Sequence, residues 1–417
     1  MGLIDWLKSI FVKPAFVNRD VSRLESTPDK IGNVTEKVDL TGGPLKPKHH
    51  RRALRDPRLL PKKKSKIPFV KPKKVMSRGE ADRLFSGTLL TRNRQIRDLK
   101  ADVEQLRRYG LPIWETEADV AAALGCSAGM LRHFSIHREA ERVRHYITFL
   151  IPKRSGGTRL IMAPKKKLKA LQRKLQELLV SKFPVSPYAH AFHKGRSIKT
   201  GAEPHVNKAV LLRLDLKDFF PTVTMGRVRG FLISLGYGYP VATTLAVLMT
   251  ESERQPVDVD GTLFHVPVTV RHCVQGAPTS PGICNAVTLK LDRRLAGLAK
   301  KHGFVYTRYA DDMSFSGDNP GALSKLRGVA GKIISEEGFQ LNSDKTAVMR
   351  RGNKQSVTGV CVNNVLGVSK KERRKIRAML HRAKMDGKQL DAEIQGRLAY
   401  VQMLNKDQAH ALRRNIK

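Results

Sequence analysis

An aspartate stands inside an apolar run at residues 210–220, VLLRLDLKDFF, and two more stand side by side in VYTRYADDMSFSG, residues 305–317. Both placements restrict how the chain can fold. In an extended strand adjacent side chains point to opposite faces, so neighbouring acids share one site only where the chain turns. Val305, Thr307 and Tyr309 alternate with Tyr306 and Arg308 before the pair, and Met313 and Phe315 alternate with Ser314 and Ser316 after it. Gly317, Asp318, Asn319 and Pro320 then end the run, so the pattern predicts a β-hairpin carrying Asp311 and Asp312 at its tip. Aspartate is also a good turn former, and this pair alone leaves both readings open. Asp215 is different. A carboxylate in a strand this hydrophobic must be neutralised, paired or bound to a metal, and Arg213 or Lys217 could supply the pairing.

Charge narrows the partners. The 417 residues hold 78 Lys and Arg against 37 Asp and Glu, a formal +41. Such a balance points to a polyanion, nucleic acid before an anionic membrane surface. Cys126, Cys273, Cys284 and Cys361 are scattered without CxxC or zinc-finger spacing, which predicts a reduced, cytoplasmic protein. No run of 18 apolar residues offers a membrane span, and no signal peptide is evident. Leu3, Trp6, Leu7, Ile10 and Phe11 would line a short amphipathic helix at 2–12. From Lys46 to Arg78 there are fourteen Lys and Arg, one acid (Asp56) and five prolines, so residues 1–80 are expected to be a basic, mostly extended arm that contacts nucleic acid.

Order is predicted to begin near Ser77. Helical spacing runs through RNRQIRDLKADVEQLRRYG and TEADVAAALGCSAGMLRHF. Two β segments, HYITFLIPK and TRLIMAP, flank the turn RSGG and are followed by a basic helix. After the two acid-bearing strands the end of the chain is again helical and basic, in SKKERRKIRAMLHRAKM and EIQGRLAYVQML. The class is therefore α+β. The expected division is an arm over 1–80, a helical region with a first β-hairpin over 81–210, a mixed centre over 211–365 and a helical end over 366–417.

Two buried strands could bring Asp215 and Asp311 together around hard cations, which prefer oxygen ligands. Two Mg²⁺ ions about 4 Å apart can activate an attacking hydroxyl and stabilise a leaving phosphate oxygen. Between the acids lies HCVQGAPTSPGICN, residues 272–285, where Gly276 and Pro278 suit close passage of backbone past a ligand and Ser280–Pro281 suits a helix start. Upstream, IPKRSGGTRLIM places Lys153, Arg154 and Arg159 on the small hairpin, where cations could clamp a triphosphate or simply face water.

The order of these motifs carries the identification. Basic hairpin, strand with Asp215, QGAPTSP, YADD and GFQLNSDKT (338–346) together closely resemble the right-handed palm of reverse transcriptases, over about residues 85–417. The resemblance implies a right-hand polymerase with fingers over 81–210, palm over 211–365 and helical thumb over 366–417. It implies that Asp215, Asp311 and the carbonyl of Leu216 bind two Mg²⁺ ions, with Asp312 in the same acidic cluster. Asp218 would lie where backbone amides meet the incoming triphosphate. Phe220 would block a ribose 2′-OH and so favour dNTPs. Gln275, Gly276 and Ala277 would line the nucleotide pocket, Arg159 with Lys153 would grip the triphosphate, and Lys345 would offer a proton to the leaving pyrophosphate.

Within that class the chain resembles the retron enzymes. AHAFHKGRSIKTGAEPHV (189–206) matches their segment before the first palm motif, with Gly201 where their Asn-Ala-x-x-His signature has Asn, and with Ala202 and His205 kept. Val357-Thr358-Gly359 resembles their Val-Thr-Gly signature, and GRLAYVQMLNKDQAHAL, with Arg397, resembles their thumb. The resemblance implies RNA contact at Ala202, His205, Val357, Thr358, Gly359 and Arg397. It further implies copying of part of a structured non-coding RNA into single-stranded DNA, primed from an internal guanosine 2′-OH, giving branched RNA–DNA. A role in anti-phage defence with an effector protein is expected. His265 and His272 are expected to be structural. The alternatives are a group II intron-type enzyme, disfavoured by the short tail after Leu366, and a non-catalytic RNA-binding protein, disfavoured by the intact Asp215, Asp311, Asp312, Gln275 and Lys345.

Overall fold

The computed structural model describes residues 100–136, 141, 143–153, 156–259, 262–386 and 389–414. The expected arm over 1–80, its helix at 2–12 and Arg154 lie outside them. In chain order the elements are α1 (Val103–Arg108), α2 (Glu117–Leu124), α3 (Ala128–Ser135), β1 (Tyr146–Pro152), β2 (Thr158–Pro164), α4 (Lys166–Leu178), α5 (Ile198–Ala202), β3 (Val210–Asp215), a single turn Phe219–Thr222, α6 (Met225–Leu235), α7 (Tyr239–Met249), β4 (Arg254–Val259), β5 (Thr262–Pro267), α8 (Ser280–Val287), α9 (Leu289–Lys301), β6 (Phe304–Tyr309), β7 (Asp312–Gly317), α10 (Leu323–Glu336), β8 (Ala347–Arg350), β9 (Ser356–Val357), β10 (Val360–Cys361), α11 (Lys370–Met385), α12 (Ala392–Leu404) and α13 (Lys406–Arg413). They divide into two units that cut across the sequence. Of the described residues, one comprises those from 100 to Pro184 with Phe220–Val287; the other comprises Val185–Phe219 and those from Thr288.

The first unit is built around α7, YPVATTLAVLM, which is apolar on nearly every side and buried from Val241 to Met249 apart from Thr243. Helices α2, α3, α4 and α6 pack on it. Local chemistry sets their ends. Thr116 and Asp119 form a capping box at α2, and Gly125 closes it in the left-handed region at φ 61°. Gln172 of α4 is buried, and its amide donates to the Tyr146 hydroxyl and the Leu248 carbonyl, both at 2.7 Å. At the root of the β4–β5 hairpin, buried Arg254 pairs with Glu141 (3.2 Å) and Glu251 (3.3 Å), and Arg271 pairs with Glu251 (3.3 Å). His265 exchanges backbone bonds with Glu141, and His272 with Glu251, in agreement with their expected structural role.

The second unit holds a four-stranded antiparallel sheet in the order β6–β7–β3–β8. Period-two alternation and register together sort its side chains. Tyr309 faces Asp312 and Asp312 faces Asp215, while Arg308 faces Met313 and Met313 faces Leu214. The front therefore carries Asp215, Asp312, Arg213, Ser314, Thr307 and Ser316. The back carries Leu212, Leu214, Met313, Phe315, Tyr306 and Arg308, and α9 packs on β6. Away from the acids, Leu211 joins a core made by α5, β9–β10 and helices α11 to α13, including Ile198, Ala202, Val357, Val360, Ile376, Leu398 and Val401.

Candidate active site

In the second unit the expected hairpin forms, with Ala310 and Asp311 as the turn between β6 and β7. Ala310 takes φ 57°, a left-handed conformation unusual for a residue with a side chain. The Asp311 carbonyl accepts the Leu216 amide at 3.0 Å, which stitches the turn to the end of β3. Asp215 and Asp312 are cross-strand partners on the same face. Like charges in that position repel, so this pairing costs stability until something positive neutralises it. Burial, then the charges of Asp311 and Asp215, push the Asp312 carboxyl up to about 6, against the opposing pull of Arg213 and Lys345.

Asp215 is 3% exposed and fully engaged. The Lys345 ammonium donates to both its oxygens at 3.0 and 3.1 Å, and the Asn342 side-chain amide donates to Oδ1 at 3.1 Å. The Asn342 backbone amide also donates to the Asp215 carbonyl at 2.8 Å, and Lys217 N donates to Gln340 O at 2.8 Å. The segment LNSDK thus wraps the end of β3. Asn342 was not singled out from the sequence, although it sits in the quoted GFQLNSDKT. Asp218 follows, exposed and left-handed at φ 47°. Phe219 is buried with its ring 6.1 Å from Phe339.

The donors are of a kind a hard divalent cation takes: the opposed carboxylates of Asp215 and Asp312, with Asp311 in the adjoining turn and main-chain oxygen nearby. Among the described residues no three acidic, histidine or cysteine side chains are grouped so that they could hold a metal ion by themselves. That suits Mg²⁺, which takes one or two carboxylates and completes its shell with water and substrate phosphates.

In the first unit the other expected residues gather at the β1–β2 hairpin. Lys153 and Arg159 are exposed on it; Lys153 N donates to the Gly157 carbonyl at 2.9 Å, and Gly156 (φ 87°) and Gly157 (φ 72°) are left-handed. The Gln275 carbonyl accepts the Met162 amide at 2.8 Å, so the QGAPTSP loop lies against β2. Gly276 is required there. It has φ +119°, and a Cβ would come within 2.8 Å of the Met162 carbonyl and 3.0 Å of Ile161 Cγ2. Ala277 is buried at 4% exposure. Gln275 Oε1, Thr279 Oγ1 and Ser280 Oγ are buried without a hydrogen-bond partner among the described residues. Phe220, half-buried, is the second residue of the single turn before α6, its carbonyl accepting Val223 N at 3.1 Å.

Of the residues expected to contact RNA, three have buried side chains: Ala202 and His205 are 0% exposed and Val357 is 2% exposed. His205 lies on the front of the sheet, with Nδ1 2.7 Å from Ser316 Oγ and Nε2 2.7 Å from Thr307 Oγ1. The Thr307 hydroxyl spends its proton on the Gly201 carbonyl at 3.0 Å, so Nε2 must be the protonated nitrogen and Nδ1 the acceptor. Burial first, then the charges of His190 and Lys208, push the imidazole down to about 3. Arg397 is likewise committed. It donates twice to Glu393, at 3.1 and 2.9 Å, and also to Glu372, which braces α12 against α11. Thr358 (φ 47°) and Gly359 (φ 83°) form the two-residue turn of the β9–β10 hairpin, the geometry of a type I′ turn, with Gly359 exposed. On α11 the exposed Lys and Arg residues are Lys370, Lys371, Arg374, Lys375, Arg377, Arg382 and Lys384.

Comparison with known proteins gives the family. The profile of the family described as reverse transcriptase (RNA-dependent DNA polymerase) matches residues 151–362. The retron Mx65 reverse transcriptase of Myxococcus xanthus is 60% identical over 99% of this chain and 97% of its own length. The retron Mx162 reverse transcriptase of the same organism is 40% identical over 74% of this chain and 68% of its own. The retron Ec86 reverse transcriptase of Escherichia coli is 31% identical over 71% of this chain and 87% of its own.

Proposed function

The chain belongs to the retron reverse transcriptases and is an RNA-directed DNA polymerase of right-hand fold; we propose that it copies part of a structured non-coding RNA into single-stranded DNA. The primer is an internal guanosine 2′-OH, the product is branched RNA–DNA, and the setting is anti-phage defence with an effector protein. The observation that carries the chemistry is the opposed pair Asp215 and Asp312 beside the Asp311 turn.

Asp215, Asp311, Asp312 and the carbonyl of Leu216 would hold two Mg²⁺ ions. When bound, the ions supply Lewis acidity to the attacking hydroxyl and the leaving phosphate oxygen. The chain's own residues do the rest. Asp312, relieved of repulsion, stays ionised near neutral pH. Lys345, now on Asp215, is the cation nearest that carboxylate; released from it, the ammonium is free to protonate pyrophosphate. Lys153 and Arg159 grip the triphosphate from the hairpin, and the amide at Asp218 meets it. Gln275, Gly276 and Ala277 shape the nucleotide pocket, with the unpartnered Gln275 oxygen and its Thr279 and Ser280 neighbours as its free polar groups. Phe220 excludes the ribose 2′-OH. The basic face of α11 tracks an A-form RNA backbone, and the Thr358–Gly359 turn presents main chain beside it. Among the described residues no helix is long and apolar enough to cross a membrane.

The test is the nucleic acid that copurifies from cells carrying the native locus, digested with RNase and then DNase beside an Asp311→Asn/Asp312→Asn control. A short single-stranded DNA that survives RNase in the wild type and is missing from the control supports the reading. RNA alone in both removes it.

A further inference from the structure

Directly behind the acid turn, on the opposite face of the sheet, an ion pair is sealed from water. Arg308 of β6 and Asp292 of α9 are both 0% exposed. The guanidinium donates through Nε to Asp292 Oδ1 and through one terminal nitrogen to Oδ2, both at 2.7 Å, a bidentate fork. Tyr306 donates to the same Oδ1 at 2.7 Å. The second terminal nitrogen of Arg308 has another task, donating to the Ala310 carbonyl at 2.9 Å. The foot of the side chain is pinned as well. Arg308 N donates to Tyr188 O and Arg308 O accepts His190 N, both at 2.8 Å. The Phe219 ring lies 5.9 Å from the guanidinium.

A buried ion pair is a poor way to gain stability, because an apolar pair of similar volume commonly does as well or better. What an apolar pair cannot do is donate to the Ala310 carbonyl. Ala310 holds φ 57°, a conformation that the surroundings must impose on a residue with a side chain. It immediately precedes Asp311, whose own carbonyl is taken by Leu216. We infer that Asp292 and Arg308 are positioning residues for polymerisation: anchored on α9, the guanidinium holds the Ala310 carbonyl and so fixes where the turn presents Asp311 and Asp312. The inference rests on the reading that those carboxylates hold the catalytic cations. Arg308 and Asp292 touch neither substrate nor cation; they act through the turn.

The experiment compares Asp292→Leu/Arg308→Met, Arg308→Lys and Asp311→Asn with the full-length enzyme on its own RNA, measuring melting temperature, KM for dNTP, kcat and the Mg²⁺ concentration for half-maximal rate. The double variant keeps the volume and removes the buried charges together. It is expected to melt close to the wild type and to keep KM within about twofold. Its kcat should fall on the order of 10²-fold with a raised Mg²⁺ requirement, the loss that a displacement of about 1 Å brings. Arg308→Lys keeps the charge beside Asp292 but cannot span both acceptors, and should lower kcat at unchanged KM. It decides the question if the double variant does not fold. Wild-type kcat and Mg²⁺ dependence in either folded variant overturn the positioning role. An active Asp311→Asn overturns the reading of the site and the inference with it; an inactive Asp311→Asn beside a fully active double variant overturns the inference alone.

Discussion

Replacing His205 with Gln should change how stability depends on acid without changing how the protein binds RNA. The native imidazole is enclosed by Ser316, 0% exposed, and Thr307, 5% exposed, and is held neutral by a tautomer that Thr307 dictates. Its proton affinity is depressed from 6.5 to about 3 by burial. A depressed group is neutral in the folded chain while the unfolded chain already binds a proton, so its stabilising contribution is complete above about pH 6.5 and is lost as pH falls toward 3. Between pH 7.5 and pH 5 the loss amounts to about 1.5 pH units at ~1.4 kcal/mol each, or roughly 2 kcal/mol. Gln offers a donor to Thr307 and an acceptor to Ser316 but does not titrate. The stability difference between wild type and His205→Gln, from urea unfolding, should therefore shrink by about 2 kcal/mol from pH 7.5 to pH 5. Nearby His190 and Lys208 are common to both proteins and cancel in the difference. A difference that stays constant with pH would refute the enclosure argument. Weaker RNA binding by a fully folded variant would refute the interior role and restore the RNA contact expected from the sequence.

Asp312→Asn should abolish nucleotide incorporation, yet in EDTA near pH 8 it should unfold later than the wild type. The penalty of its raised carboxyl, on the order of 2–3 kcal/mol, is full above about pH 6 and vanishes below about pH 4; equal stability at pH 8 would remove the charge-repulsion account. Gly276→Ala forces a left-handed alanine and a Cβ 2.8 Å from a carbonyl, together costing roughly 2–5 kcal/mol locally. The loop should shift and KM for dNTP rise at least about tenfold, and an unchanged KM would detach the loop from the nucleotide. Phe220→Ala should admit ribonucleotides in a misincorporation assay; unchanged dNTP selectivity would dismiss Phe220 as the gate.

The hairpin at 305–317, the strand ending at Asp215, the β1–β2 hairpin and the helix start at Ser280 were legible because their signals are local: alternation, turn residues and a proline. What stayed hidden depends on contacts between distant stretches. Asn342 reaches Asp215 across 127 positions, and nothing in LNSDK announces which strand it will wrap. The signature residues Ala202, His205 and Val357 invited a binding role, but a short motif does not reveal which face of an element is covered: Ala202 and Val357 join the core of α11 to α13, and His205 is buried against Ser316 and Thr307 of the sheet. Arg397, expected at an RNA contact, is engaged by Glu372 on a neighbouring helix and by Glu393 a turn away, partners that its motif does not announce.

The sheet also explains how one strand can carry a carboxylate among leucines without misfolding. β3 lies between β7 and β8, and its register sends Asp215 forward to Asp312 while Leu212 and Leu214 go back with Met313 and Phe315. A slip of one residue would reverse every side chain. It would set Asp215 among those apolar groups, where an unpaired carboxylate costs several kcal/mol, and would turn the leucines outward. The far end of the hairpin tolerates little play, since even a methyl at Gly317 would come within 2.9 Å of the Gly303 carbonyl and 3.0 Å of the Phe304 ring. The register that stability demands is therefore the one that opposes Asp215 and Asp312. Apolar packing on the back face holds a pairing that is electrostatically unfavourable on the front, a repulsion that a divalent cation bound there, as proposed, would relieve.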